Sequence, residues 1–284
     1  MSTSEPASDR VLAIVGVGLL GGSIAAAAKQ RGVARHVIGI GRNVERLQAA
    51  VDAGIIDDFA TDPAQSDAEW DLGIIATPVD RIADDVHRLA KASRPGTLIT
   101  DVGSVKETVC YASSLGLPEG IHFVGSHPLA GSEKNGFEFA DADLLQDRVT
   151  IVTPLNDSQI EAADEVTAFW KSLGSIVHRM DVATHDRILA TTSHLPHVTA
   201  AALARLLTDE LRPFAATGFR DTTRVASGDS DLWTAILLTN ADAAASSLDA
   251  FSRQLDEFRE AIRNRDGERL KTLLQLAKTS RDAL

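Results

Sequence analysis

The stretch GSHPLAGSEKNGF at 125–137 sets one histidine, His127, between a glycine-bearing strand end and a loop containing Pro128, Gly131 and Gly136. Proline removes a backbone donor and fixes φ, while glycine opens positive φ, so this segment is shaped rather than helical. An imidazole titrates near neutrality and is the side chain best suited to accept a proton there. The other reading of His127 is a hydrogen-bonded core histidine. Further clusters sit around it in sequence: DVGSVK from Asp101 to Lys106, SHLPH from Ser193 to His197, GFRDTTR ending at Arg224, and SGDSDLW ending at Trp233. The planar fork of Arg224 matches a carboxylate bidentately, unless it pairs with Asp221 on its own turn. His194 and His197 stand three apart, a zinc-like spacing, but no further ligand joins them, so no metal is expected. His197 reads as support or helix packing.

Gly16, Gly18 and Gly21 form G-x-G-x-x-G directly after an apolar run and at the mouth of a helix. In that setting the first glycine permits a tight turn, the second admits a pyrophosphate, and the third lets helix and strand pack closely. Dinucleotide binding follows from the context rather than from the glycines alone. An NAD site commonly has an acid about 20 residues beyond the fingerprint, on the ribose 2′-hydroxyl. Here the second strand ends Ile40-Gly41-Arg42-Asn43, without a carboxylate. Arg42 can pair with a 2′-phosphate, so NADP is favoured and NAD stays possible; a solvated surface arginine is the alternative. The expected cofactor contacts are Gly16, Gly18, Leu19, Leu20, Gly21, Arg42, Thr77, Pro78 and Asp101.

The elements that must hold these residues alternate. Strand-like runs occupy 11–18, 36–41, 72–77, 98–101, 122–126, 148–153 and 175–180. Helical patterns fill 22–31, 44–53, 81–91 and 158–173. This is the signature of a doubly wound parallel sheet of the Rossmann type. After Met180 the strand signal stops. Residues 185–207 read as a helix that Pro196 should kink or break. Beyond Leu232, Ala244, Leu248, Phe251, Leu255, Phe258 and Ile262 keep a heptad seam, suited either to burial in its own domain or to a subunit interface. The expected organisation is a disordered tail at 1–10, a dinucleotide-binding domain at 11–180, and an all-α substrate and dimerisation domain at 181–284.

The 284 residues carry a net charge of −12, with 44% hydrophobic and 24% charged residues. That balance argues against general binding to nucleic acid or anionic membrane. No apolar run is long enough to span a bilayer. The single cysteine, Cys110, rules out an internal disulfide and fits a reducing compartment. The acidic start MSTSEPASD lacks the regions of a signal peptide, so a cytoplasmic location is expected.

Taken together and in order, the glycine fingerprint, DVGSVK, GSHPLAGSEK, SHLPH and GFRDTTR resemble the prephenate/arogenate dehydrogenase family of tyrosine biosynthesis, over about 11–233. The resemblance implies an NAD(P)-dependent oxidative decarboxylation of a cyclohexadienol, with the protein positioning, desolvating and accepting a proton. It implies His127 as acceptor for the C4 hydroxyl proton, Ser104 as its orienting partner, and His194 as a second active-site histidine. Substrate contacts are expected from Arg224, Trp233, Glu133 and Ser132. Glu133 matches a gating acid, a solvated glutamate being the alternative; Trp233 covers the substrate or serves as a core residue. SHLPH and Trp233 favour prephenate over arogenate. A homodimer is expected through the helical half, without a fused mutase before Val11 or a tyrosine-binding module after the helices. A β-hydroxyacid dehydrogenase or imine reductase would usually bring a lysine to the 185–207 helix, which has none. A dinucleotide-sensing module would need only the fingerprint.

Overall fold

The computed structural model describes residues 9–66, 68–131 and 134–284; most of the expected tail lies outside them. Eight strands form one sheet in the order β3-β2-β1-β4-β5-β6-β7-β8. They are β1 (Val11–Val15), β2 (His36–Ile40), β3 (Asp58–Ala60), β4 (Leu72–Ile75), β5 (Leu98–Asp101), β6 (His122–Pro128), β7 (Val149–Thr153) and β8 (Ile176–Arg179). β1 lies between β2 and β4, and all five of its residues are buried. Covered on both faces, it has to read as a continuous apolar run rather than an alternation.

One face is closed by α1 (Leu19–Gln30), α2 (Val44–Asp52) and α5 (Ile160–Ser172), which bring Ile24, Leu47 and Trp170 into a shared core. Ala25, Ala27 and Ala28 of α1 are fully buried, so that helix lies close on the sheet. The other face is closed by α3 (Ile82–Lys91) and α4 (Glu107–Ser114), joined by Val182 and Ile236 from later helices.

Strands β1 to β6 run parallel, as the alternation predicts, but β7 is antiparallel to β6 and β8 parallel to β7. The expected doubly wound, mostly parallel sheet is present, with one antiparallel pairing, between β6 and β7. Parallel neighbours need a crossover of a dozen or more residues, usually helical. Here the described residues between the two strands include Gly131 at φ 150 and Gly136 at φ 112, and β7 lies beside β6 in the opposite sense.

After β8 the chain is helical: α6 (Val182–Leu189), α7 (Leu195–Ala204), α8 (Thr217–Thr223), α9 (Ser230–Thr239), α10 (Ala241–Arg263) and α11 (Gly267–Asp282). The break expected at Pro196 lies just before it, as a π-helical turn over Ala190–His194. Proline has no N–H for the carbonyl four residues back, and widening the preceding turn accommodates that loss. The seam of α10 is only partly covered by its own chain. Ala244 is buried, whereas Leu255 is 51% and Ile262 61% exposed. Among the described residues no helix is long and apolar enough to cross a membrane.

Candidate active site

The sheet order changes direction between β1 and β4, and open α/β sheets bind ligands at the carboxyl ends of the strands flanking such a point. Gly16 occupies that point with φ +94, and a Cβ there would stand 2.6 Å from the Ala76 carbonyl oxygen. A Cβ at Gly21 would come within 2.1 Å of the Gly16 oxygen, whereas one at Gly18 would meet nothing within 4 Å. The first and third glycines are therefore fixed by packing, and the second leaves open space. Gly18 caps α1 without a side-chain hydrogen bond, and the first turn carries no acid. Free amides and a positive helix end thus face that space, as a pyrophosphate requires. Beside the turn, the Thr77 hydroxyl is buried without a partner among the described residues. The residues present fit a dinucleotide. Arg42 stands exposed just past β2, followed by Asn43, whose side chain caps α2 by accepting from the Arg46 amide at 2.9 Å.

Asp101 is held by partners within the protein. Its side chain is fully buried. The carboxylate accepts from the amides of Gly103 (2.8 Å) and Ser126 (3.0 Å) and forms an ion pair with the fully buried Lys106. Lys106 also donates to the Ser126 carbonyl at 2.9 Å, and the Ser126 hydroxyl donates to the Asp101 carbonyl at 2.5 Å. These bonds tie the DVGSVK turn to β6 one residue before His127. Ser104 sits half-buried in that turn.

His127 ends β6 buried, its Nδ1 2.9 Å from Nε2 of His185 on α6. Nδ1 of His185 lies 2.7 Å from Asp186 Oδ1. Asp186 in turn accepts from the amides of Lys106 (2.8 Å) and Glu107 (2.9 Å), capping α4 from the helical half. Burial would raise the Asp186 carboxyl, but the His185 hydrogen bond and the two amides outweigh it and hold the group below its usual range. Burial, together with the charges of His185, Lys106 and His194, holds His127 well below the ordinary imidazole value, so the ring is neutral. Burial likewise lowers His185 and brings His194 down to about 4.

His194 and Trp233 lie together, ring centroids 6.3 Å apart, and His197 stacks on Trp233 at 3.6 Å and 11°. Trp233, Ala235 and Ile236 of α9 share a core with Val79, next to Pro78, which places this aromatic cluster at the cofactor edge of the sheet. Asn240, at the break between α9 and α10, donates to the Asp186 carbonyl at 3.0 Å and lies 3.2 Å from His194 Nδ1. Arg224 is exposed on a 3-10 turn after α8, and the ion pair with Asp221 does not form. Ser132 and Glu133 lie outside the described residues. No group of three or more His, Cys, Asp or Glu among the described residues is arranged to hold a metal. His185, Asp186 and Asn240 were not singled out by the sequence; the adjacent pair His185-Asp186 was its only signal.

These neutral buried histidines make stability depend on pH. A folded-state pKa below the unfolded value means that acid protonates the unfolded chain first, so stability is complete above about pH 6.5 and is lost as pH falls towards 4. For His194 alone the loss between about pH 7 and about pH 5 is close to 2 kcal/mol. The ligand-free protein is expected to melt about 5 °C lower at the acid end. A melting temperature that does not fall, measured by circular dichroism, contradicts the neutral assignment.

Residues 24–179 match the family model described as the prephenate dehydrogenase nucleotide-binding domain, and residues 181–276 that of the prephenate dehydrogenase dimerization domain. The chain is 36% identical to prephenate dehydrogenase of Bacillus subtilis, over 95% of this chain and 75% of that protein. It is 34% identical to cyclohexadienyl dehydrogenase of Zymomonas mobilis, over 91% and 90% of the two chains. Among solved structures, prephenate dehydrogenase from A. aeolicus in complex with hydroxyphenyl propionate and NAD+ superposes with a TM-score of 0.92 at 32% identity, covering 97% of this chain and 98% of that one. Arogenate dehydrogenase from Synechocystis gives 0.82 at 28% identity, covering 96% and 99%.

Proposed function

The chain belongs to the prephenate dehydrogenase family, and from that premise we propose that it oxidatively decarboxylates prephenate to 4-hydroxyphenylpyruvate, with His127 as the proton acceptor. The observation that carries the reading is a neutral, buried imidazole at the end of β6, in the same sheet edge as the glycine turn. When bound, the nicotinamide dinucleotide supplies an acceptor for the hydride on ring C4. Gly16, Gly18, Leu19, Leu20, Gly21, Thr77 and Pro78 would hold it. His127 takes the C4 hydroxyl proton as the carbonyl forms. The ring carboxylate then departs as CO2, its bonding electrons make the ring aromatic, and the imidazolium returns the proton to the oxygen. Ser104 helps to orient the reacting hydroxyl beside the nicotinamide, and Trp233 with His194 excludes water on the substrate side. Arrangement of the chain as a cofactor-binding part up to Met180 and a substrate and dimerisation part after it agrees with where strands end.

NADP is the cofactor we favour, because Arg42 stands free of other ion pairs among the described residues where a 2′-phosphate would lie. Arg42→Ala is expected to raise KM for NADP about tenfold or more and leave NAD within about twofold, since a charged hydrogen bond contributes roughly 1.5–3 kcal/mol. Equal effects on the two dinucleotides reassign Arg42 to the surface. Arg224 is proposed to clamp a substrate carboxylate. Arg224→Ala should raise KM for prephenate on the order of tenfold or more, with kcat changed far less. An unchanged KM contradicts the clamp.

The half-exposed seam of α10 and the match to a dimerization domain support a homodimer. The test of function is a matrix: prephenate and arogenate, each with NADP and NAD. Turnover greatest with prephenate and NADP is the expected result. Preference for arogenate favours the alternative substrate, in which an amino acid replaces the keto acid, and no turnover on either overturns the reading.

A further inference from the structure

The hydrogen bonds around Asp186 determine where two histidines carry their protons, which the coordinates of the rings alone do not tell. The Asp186 carboxylate can only accept, so His185 Nδ1, 2.7 Å away, bears the hydrogen. Burial keeps that ring neutral, which leaves a lone pair on His185 Nε2. The atom facing it at 2.9 Å, His127 Nδ1, must then be the donor. The lone pair of His127 is thereby left on Nε2.

The same residue acts in the opposite sense through its backbone. The Asp186 carbonyl also can only accept, so the Asn240 side chain must turn its NH2 end towards it, at 3.0 Å. That nitrogen lies 3.2 Å from His194 Nδ1, which therefore accepts, and the proton of His194 resides on Nε2. His194 is 1% exposed, and this Nε2 has no hydrogen-bond partner among the described residues. A buried N–H without a partner is a standing cost that an oxygen of a ligand would relieve.

We propose that Asp186, acting through His185 on one side and Asn240 on the other, is a positioning residue that locks His127 as an acceptor and His194 as a donor, both through Nε2. The acceptor suits a hydroxyl that must lose its proton. The donor suits a carboxylate or carbonyl oxygen of an anionic substrate. Asp186 also caps α4 across the two halves, so seating the helical half on the sheet sets both tautomers at once. The proposal rests on the catalytic reading of His127 for its consequence, but not for its geometry.

Imidazole nitrogen resonances of the full-length, 15N-histidine-labelled protein with NADP bound report the tautomers directly. The chain has eight histidines, assignable by single substitutions. Expected are a proton on Nδ1 of His127 and on Nε2 of His194. His185→Asn keeps a donor for Asp186 but removes the atom that accepts from His127. It should shift His127 towards the Nε2–H form and lower kcat about 10- to 100-fold with little change in KM, as loss of an orienting partner commonly does. His185→Gln, whose amide oxygen reaches the Nε2 position, should restore most of both. Asn240→Leu should free the His194 tautomer and raise KM for prephenate rather than lower kcat.

A proton on Nε2 of His127 or on Nδ1 of His194 in the unmodified protein overturns the proposal, whether or not the variants fold. So does a His127 tautomer unmoved by His185→Asn. Normal turnover by His127→Asn alongside the expected tautomers would remove the catalytic role and leave this assignment standing.

Discussion

His127→Asn is expected to lose about 10²–10⁴ in kcat while the protein binds its dinucleotide within about twofold of normal. The asparagine can still face His185, so the packing at the end of β6 survives. What it cannot do is take a proton at neutral pH. A general base at this step contributes on the order of 3–5 kcal/mol to the barrier, which corresponds to that rate loss. Burial holds the imidazole neutral well below the ordinary value, so the unmodified enzyme should keep its base unprotonated throughout the neutral range. Steady-state kinetics with prephenate and fluorescence titration with NADPH make the two readings. A variant with near-normal kcat takes the histidine out of its assigned role.

The second large effect concerns stability. Lys106→Met is expected to destabilise the fold by about 3–5 kcal/mol, because it leaves the Asp101 carboxylate buried without its counter-charge. Both side chains are at 0% exposure, so no solvent can substitute. For a chain of this size the melting temperature should drop by about 10 °C. Adding Asp101→Asn to Lys106→Met removes the stranded charge and should recover part of the loss; the recovery is incomplete because the amides of Gly103 and Ser126 bond to different carboxylate oxygens and asparagine keeps only one acceptor. A single variant melting within about 2 °C of the parent would contradict the view of this pair as a brace behind the catalytic strand.

How much of this was legible beforehand depends on how local the cause is. The strand–turn–helix from Val11 to Gln30 is written in contiguous residues: a buried apolar run, three glycines with distinct steric reasons, and a row of alanines. The motifs also located His127, His194, Trp233 and the glycine turn. The direction of β7 was not legible, because it depends on how residues 129–148 return to the sheet rather than on any pattern within β7 itself. Strand β3, of three residues, and helix α4, of eight, are too short to show a period.

The bonds of Asp101 within the fold were hidden for a related reason. An acid at the carboxyl end of a central strand looks like a ligand, and only the folded chain shows Lys106 turned inward upon it. The partners of His127 could not have been found by spacing: His185 lies 58 positions away, and the amides that orient Asp186 lie 79 and 80 away. Asn240 carries no signal of its own in the sequence and gains its role only from the break between α9 and α10, which brings it beside His194.

The most direct test of the central claim is a crystal structure of the protein with NADP and a 4-hydroxyphenyl product analogue. The account predicts the phenolic oxygen within about 3.2 Å of His127 Nε2, with the nicotinamide ring against the same carbon. An analogue seated elsewhere, with His127 Nε2 out of hydrogen-bonding reach of that oxygen, would contradict it.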